Sequence, residues 1–181
     1  MQYAGIGARK APEHILKLMF DIAALLAIDG HILRTGAAVG SDQAFANGAN
    51  AVAGPIKLFI PWPSYEEAWI HFLHNATVTS FNENFHRDAW DSVKFHPKYD
   101  SLTQGVKRLH ARNYLIVEDC QLIICWTEGG AIVGGTGQAL RLAQAKNIPM
   151  HNLGSTEAFN IYSQRVELRR KEIESYTRGL P

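Results

Sequence analysis

The stretch at residues 122–145 constrains the fold most strongly, because it reads as a strand, a glycine-rich loop and a helix in succession. An uninterrupted apolar run at residues 122–126 leads into a loop that contains Gly129, Gly130, Gly134, Gly135 and Gly137. A strand that is apolar on both faces is typical of the middle of a parallel sheet covered by helices. The carboxyl end of such a strand is where these sheets bind ligands.

The loop after this strand has the composition of an anion-binding loop. Glycines let the backbone approach a phosphate closely, and the unpaired N–H groups of the following helix attract negative charge. We therefore predict that Gly134, Gly135, Thr136 and Gly137 bind a ligand. The alternative is a turn whose glycines are needed only for their positive φ angles. Such a turn accounts for one or two glycines but less well for the five in this loop.

A second glycine-bearing loop follows the first strand of the chain. A short apolar strand at residues 3–6 leads into Gly7, Arg9 and Lys10, before a helix that begins near Pro12. Cations beside the start of a helix favour a phosphate or a carboxylate ligand. Two cations in a solvated loop are an equally good interpretation by residue type.

A third loop follows the next strand, near residues 31–33. It contains Arg34, Gly36, Gly40, Ser41 and Asp42. The two glycines are predicted to let the backbone approach the ligand, Arg34 to be a cationic partner and Ser41 to lie near the helix start. Residue type favours Asp42 as a helix cap, and its alternative role is a hydroxyl acceptor or a catalytic carboxylate.

The order of the elements predicts an α/β protein with a Rossmann-like, doubly wound, mostly parallel sheet of about five strands. The three glycine-bearing loops emerge at the carboxyl edge of this sheet and are expected to form one site. A single domain would include an aromatic-rich insertion or lid at residues 62–101 and a C-terminal helical tail at residues 155–181. Most aromatic side chains of the insertion are predicted to form a satellite core, and one or two to stack on a nucleobase.

Composition narrows the functional classes. The chain has 18 Lys+Arg against 17 Asp+Glu, so no global basic field indicates nucleic acid. Cys120 and Cys125 are predicted to be buried thiols in a reducing compartment. No apolar run approaches the ~20 residues of a membrane span and no signal segment is evident, which predicts a cytoplasmic protein. His71 and His74 form a weak metal pattern, so we expect neither a metal nor a cofactor.

Three motifs resemble the SLOG superfamily of Rossmann-like nucleotide-binding proteins. They are GIGARK at residues 5–10, TGAAVGSDQAF at residues 35–45 and GGTG at residues 134–137. The superfamily includes the DNA-processing protein DprA and the LOG phosphoribohydrolases. The overall pattern is similar to small stand-alone DprA-like proteins often seen in phage genomes. The resemblance covers about residues 3–153 and implies nucleotide binding at the carboxyl edge of the sheet.

The likeness to LOG enzymes also implies candidate residues for N-glycosidic cleavage. Residues 109–113 are similar to the first half of the LOG pattern, which implies Arg112 as a phosphate or ribose ligand beside Asn113. The second half departs from that pattern, because residues 138–141 contain no glutamate. Asp42 and Glu128 are then the candidate catalytic carboxylates near the predicted loops.

We therefore expect a protein that binds a nucleotide or a nucleotide-derived phosphate ligand between the three loops. It is expected to form a homo-oligomer and to have no membrane partner. The first alternative is hydrolysis of an N-glycosidic bond in nucleoside monophosphates or related nucleotides. The second alternative is DprA-like binding of single-stranded DNA. The missing glutamate favours binding over catalysis.

Overall fold

The structure, a computed structural model, describes residues 1–178 and contains a six-stranded parallel sheet. The strands are β1 (Gln2–Gly7), β2 (Ile32–Thr35), β3 (Ile56–Ile60), β4 (Ala76–Ser80), β5 (Leu122–Trp126) and β6 (Met150–Asn152). Their order across the sheet is β4-β3-β2-β1-β5-β6, and each pairing is parallel. The chain winds from β1 to β4 in one direction and then crosses to the other side of β1. This is the doubly wound topology that the sequence predicts.

Helices cover both faces of the sheet. Those in the described residues are α1 (Glu13–Ile28), α2 (Ser41–Ala51), α3 (Glu67–Ile70), α4 (Arg87–Ser92), α5 (Gln104–Val117), α6 (Gly134–Ala145) and α7 (Thr156–Arg178). The core on one face contains Tyr3 and Ile124 with residues of α1, α2 and α7. The core on the other face contains Ala4 and Ile123 with residues of α4, α5 and α6. Adjacent strand residues point to opposite faces, which explains why β1 and β5 are apolar throughout.

The sheet has one strand more than the sequence predicts. The additional strand, β4, lies inside the segment predicted as an insertion and pairs in register with β3 from Ala76 to Ser80. Its residues are small or β-branched, and Thr77 and Val78 are exposed because the strand is at the edge. A half-exposed edge strand lacks the continuous apolar run that identifies a central strand, so the pattern did not reveal it.

The aromatic residues around β4 mainly serve packing. Phe81 stacks on Trp90 with ring centroids 5.9 Å apart, and Phe81 is buried in the core beneath α4 and α5. Trp62 and Tyr65 form an edge-to-face pair at 5.2 Å. These contacts favour the packing role predicted for most of the segment, although Phe81 extends the main core instead of forming a separate one.

The C-terminal tail forms α7 and packs on the outside of α1. Tyr162 and Val166 are buried in the core, and Arg170 forms an ion pair with Asp21 at 2.6 Å. The predicted tail helix is therefore confirmed through Arg178, and residues 179–181 lie outside the described part. Within residues 1–178, no helix combines the length and the apolar character needed to cross a bilayer.

Candidate functional site

A cavity of about 840 Å³ opens at the carboxyl ends of β1 and β5. These neighbouring strands, paired through Gly7 and Trp126, are where the direction of winding reverses. In open α/β sheets this reversal point is the usual location of a ligand crevice. The cavity is bounded by the loops after β1 and β5, by α5 and by residues 96–98. Its volume lies within the range of about 300–1,000 Å³ that is common for small-molecule sites.

The structure brings most of the predicted site residues to this cavity. Those that line it are Gly7, Arg9, Lys10, Asp42, Arg112, Asn113, Glu128, Gly134, Gly135 and Thr136. Four other predicted residues do not line the cavity but lie against residues that do: Gly36, Gly40, Ser41 and Gly137. Arg34 is directed elsewhere. The loops after β1, β2 and β5 thus meet at one edge, as the parallel sheet predicts.

A buried ion pair connects the first turn of α2 to the middle of α5. Nη1 of Arg112 donates to Oδ2 of Asp42 at 3.3 Å, and the exposed fractions of these side chains are 5% and 6%. Burial raises the pKa of the Asp42 carboxyl, although Arg112 and the backbone N–H groups of Ala38 and Gly7 oppose that rise. Asp42 does not make the side-chain cap of α2 that its residue type favoured. It holds Arg112 in place instead.

Arg112 retains hydrogen-bonding capacity beyond this pair. Its Nε atom is buried and has no hydrogen-bond partner among the residues that the structure describes. Because the side chain also lines the cavity, an acceptor bound there can satisfy the guanidinium. An anionic or carbonyl-bearing ligand would suit this group, because hydrogen bonds from a charged donor are strong.

Two glycines behind the cavity are required by close packing. A Cβ atom at Gly36 would overlap the guanidinium of Arg112, so no larger residue leaves room for the ion pair. Gly40 has a φ of 94° and precedes α2, where a side chain would overlap the backbone of Arg9. The hydroxyl of Ser41 then donates to the carbonyl of Ala8 at 2.9 Å. These contacts fix the loop after β1 against the start of α2.

The amino end of α6 is open toward the cavity. Val133 precedes the helix without a side-chain cap, Gly134 has a φ of 65°, and Gly134 to Thr136 line the cavity. The first N–H groups of a helix lack intrahelical partners and carry partial positive charge, which suits an anion. Asn113 donates to the carbonyl of Gly135 at 3.2 Å and so connects α5 to this turn.

The loop that connects β5 to α6 is held by hydrogen bonds from the neighbouring strand β6. Asn152, at the end of β6, accepts from the N–H of Thr127 at 3.1 Å and donates to its hydroxyl at 2.7 Å. Glu128 follows in a short 3-10 turn, where its side chain is exposed and lines the cavity. Of the two candidate carboxylates, only Glu128 is therefore exposed, whereas Asp42 is buried against Arg112.

The prediction that Arg34 is a cationic partner of the ligand is wrong. Its side chain is 2% exposed, and its guanidinium donates to the carbonyls of Ile116 at 2.9 Å and of Leu115. The same group forms an ion pair with Asp119 at 3.4 Å. These carbonyls belong to the last turn of α5, where backbone acceptors lack helical partners. Arg34 caps α5 from β2, so its charge is committed away from the cavity.

Four ionisable residues that line the cavity were absent from the predicted set: His96, Lys98, His110 and Arg141. The rings of His96 and His110 lie with centroids 4.7 Å apart. His110 stands two residues before Arg112 in the motif that resembles LOG enzymes, so its position was a usable signal. No local pattern marks His96 or Lys98, because only the path of the insertion brings them to the cavity.

The cavity is cationic although the chain is nearly neutral. Among the described lining residues the cations are Arg9, Lys10, Lys98, Arg112 and Arg141, and the carboxylates are Asp42 and Glu128. Arg9 and Lys10 are exposed at the mouth. A locally positive cleft raises the local concentration of anionic ligands, whatever the net charge of the chain. Within residues 1–178, no group of three or more His, Cys, Asp or Glu side chains is arranged to hold a metal ion.

Known structures share this architecture. No family model and no curated protein sequence matches the chain. A DNA processing protein A from Helicobacter pylori, described for its single-stranded DNA binding mode, has a TM-score of 0.64 at 17% identity. The match covers 95% of this chain and 81% of that protein. DprA from Streptococcus pneumoniae has a TM-score of 0.60 at 16% identity, covering 83% of this chain and 49% of DprA.

A second class of protein has the same fold. The molybdenum cofactor binding protein from the phototrophic bacterium Rippkaea orientalis has a TM-score of 0.56 at 18% identity. The match covers 92% of this chain and 84% of that protein. Identities this low establish the fold alone. The chain therefore has the Rossmann-like fold found in DprA and in molybdenum cofactor binding proteins.

Proposed function

We propose that the protein binds a nucleotide or a nucleotide-derived phosphate ligand in the cavity at the carboxyl ends of β1 and β5. The observation that carries this proposal is the buried Arg112, whose Nε lacks a partner at a cavity that also receives the open end of α6. Arg9 and Lys10 add exposed cations at the mouth. Together these groups offer the backbone donors and positive charge that a phosphate requires.

The remaining wall suits the organic part of such a ligand. Leu102, Val106 and Leu109, which are half-buried residues in or just before α5, line the cavity. Small-molecule sites are generally apolar with a few polar groups that fix the orientation. Proteins of the same fold are described as binding single-stranded DNA and the molybdenum cofactor, which supports ligand binding by this architecture.

A thermal-shift screen tests the proposal directly. Adenosine 5′-monophosphate, ADP, ADP-ribose and cyclic AMP are compared, because a ligand that binds only the folded protein raises the melting temperature according to its affinity. We expect at least one to stabilise the protein, and expect the variants Arg9→Gln and Lys10→Gln to bind it roughly tenfold more weakly. Lys171→Gln, at an exposed position on α7, is the matched control. No shift with any nucleotide would contradict the proposal.

A second candidate function is hydrolysis of an N-glycosidic bond. It is favoured by Glu128, an exposed carboxylate that lines the same cavity and is free to act as a base toward water. If the protein is such an enzyme, free base is released from nucleoside monophosphates, and Glu128→Gln abolishes release while leaving nucleotide binding intact. Absence of release from a broad nucleotide panel would exclude this candidate.

Single-stranded DNA is the third candidate ligand, favoured by the cations at the cavity and by the described activity of the Helicobacter pylori neighbour. Fluorescence anisotropy with a labelled oligothymidylate tests it. Binding through several phosphates falls steeply as salt increases, because each neutralised phosphate releases counterions. A flat salt response, or no anisotropy change, would argue against DNA. Light scattering on the same samples tests the predicted homo-oligomer.

A further inference from the structure

A group of side chains in the cavity remains unused by the proposed phosphate contacts. It consists of His96, Lys98, His110 and Arg141, which come from the segment after α4, from α5 and from α6. The imidazole rings of the two histidines lie 4.7 Å apart. We call these four residues the histidine-arginine cluster.

The cluster contains buried polar atoms without partners. His110 is 7% exposed, and its Nδ1 has no hydrogen-bond partner among the described residues. The Nε of Arg141 is buried and equally unpaired, while its Nη2 donates to Oε1 of Gln138 at 3.0 Å. Two buried nitrogens thus lack hydrogen-bond partners in residues that line the same cavity.

The cluster is also pre-arranged. Nδ1 of His96 accepts the backbone N–H of Lys98 at 3.1 Å, so the neutral ring carries its proton on Nε2 and presents a donor there. Arg141 is folded back toward the start of α6, where its Nη1 donates to the carbonyl of Ile132 at 3.5 Å. These hydrogen bonds orient both side chains before any ligand arrives, which reduces the entropy lost on binding.

The pKa values and charges around the cluster indicate that it lacks a negatively charged partner. Burial, followed by the nearby His96, Arg141 and Arg112, lowers the pKa of His110 to about 4. Burial and the charges of Arg141 and Lys98 also lower the pKa of His96. Of the two carboxylates at the cavity, Asp42 is already paired with Arg112 and Glu128 is exposed. The two histidines are therefore neutral near pH 7, and the positive charge of the cluster belongs to Arg141 and Lys98, which a bound anion can neutralise.

We propose that His96, His110 and Arg141 form a second anion subsite, so that the cavity takes a nucleotide bearing two phosphate groups. The first phosphate lies at Arg112 and the open end of α6, as in the proposed function on which this inference rests. The second contacts the histidine-arginine cluster. The chemical class is a nucleotide with a second phosphate, either on the other side of the ribose or in a pyrophosphate.

Isothermal titration of adenosine 5′-monophosphate, adenosine 3′,5′-bisphosphate and ADP tests the second subsite. We expect the bisphosphate or ADP to bind at least about tenfold more tightly than the monophosphate, because charge-assisted hydrogen bonds are strong. Comparing the bisphosphate with ADP tells whether the second phosphate is separated from the first or adjacent to it. Equal affinity for all three ligands overturns the inference.

Variants assign the effect to residues. Arg141→Gln and His110→Asn should bind the ligands with one and with two phosphates about equally, so the preference for the second phosphate is lost. Their affinity for the monophosphate should change by less than about twofold. Arg9→Gln is the matched control, since it should weaken all ligands and preserve the preference. Arg141→Lys keeps the charge and should restore part of the preference. An unchanged preference in folded Arg141→Gln contradicts the assignment.

The two proposals fail differently. If the monophosphate binds and the second phosphate adds nothing, only the second subsite is wrong. If no nucleotide binds the parent protein at millimolar concentration, the proposed function fails and this inference fails with it. Far-ultraviolet circular dichroism of each variant confirms that lost binding does not reflect lost folding.

Discussion

Gly36 leaves the space in which the buried ion pair between Arg112 and Asp42 forms. The two residues of this pair are 70 positions apart in the chain, and a methyl group at Gly36 would overlap both side chains. The glycine therefore acts through the ion pair and not through a ligand contact. It was predicted to allow backbone approach to a ligand, whereas the close approach is to the guanidinium.

Gly36→Ala should disrupt this pair. We expect a loss of about 2–4 kcal/mol in the free energy of unfolding, since overpacking and an unpaired buried charge are both destabilising. Nucleotide affinity should fall as well, because Arg112 loses its position. Urea denaturation measures the first effect and titration of the nucleotide the second. Gly105→Ala is the control, because a Cβ there meets nothing within 4 Å.

His110 predicts a pH dependence. Its pKa of about 4 in the folded protein is below the ordinary value of 6.5, so between these values the unfolded chain binds the proton and the folded protein does not. The free energy of unfolding should therefore fall as pH decreases from about 6.5 toward 4. After allowance for solvent screening, we expect roughly 1 kcal/mol between pH 7 and pH 5.

The measurement is urea denaturation of the parent and of His110→Asn at pH 7, 6 and 5. Asparagine does not titrate, so the difference between the two proteins isolates His110 from the other histidines. The decline should be shallower in the variant. Parallel curves would show that His110 is not the residue responsible.

At the scale of elements, Arg34 joins β2 to the end of α5. Its guanidinium does not face the ligand cavity. It donates to the last-turn carbonyls of Leu115 and Ile116 and packs over Phe59, 4.7 Å from the ring centroid. A cation at the carboxyl end of a helix also complements the helix dipole. These contacts stabilise the last turn of α5, at the end of the helix away from the cavity that Arg112 and His110 line.

Arg34→Met should separate this structural role from ligand binding. Removing the guanidinium leaves buried carbonyls unpaired, which we expect to lower the free energy of unfolding by about 3 kcal/mol. The folded fraction should bind nucleotide with unchanged affinity. Arg9→Gln should show the opposite result, with weaker binding and unchanged stability, because its side chain is exposed. Chemical denaturation and titration on both variants decide between the two roles.

At the scale of the whole molecule, the cavity lies where the two halves of the sheet meet. The loop after β1 is fastened to α2 by Ser41, and the loop after β5 is fastened to β6 by Asn152. A ligand held between these loops should connect the halves. When the ligand is bound, the loops after β1 and β5 should therefore open less often, and their backbone amides should exchange more slowly.

Hydrogen exchange measured by mass spectrometry tests this expectation. With saturating adenosine 5′-monophosphate, peptides that contain residues 7–10 and 134–136 should exchange at least about threefold more slowly. Peptides of β4 and α7, which lie away from the cavity, should be unchanged. Uniform protection across the chain would indicate global stabilisation, and protection confined to β4 would place the ligand elsewhere.

The sequence by itself determined the parallel sheet, its doubly wound order and the meeting of the glycine loops at one edge. Those features follow from local apolar runs, helical periodicity and glycine chemistry, which are encoded within short stretches. The tertiary structure decided which side chains face the cavity. Arg34 turns toward α5, β4 completes the edge, and His96 reaches the cavity from the insertion. Packing between residues far apart in the chain decides these positions, and no pattern within a short stretch of sequence specifies them.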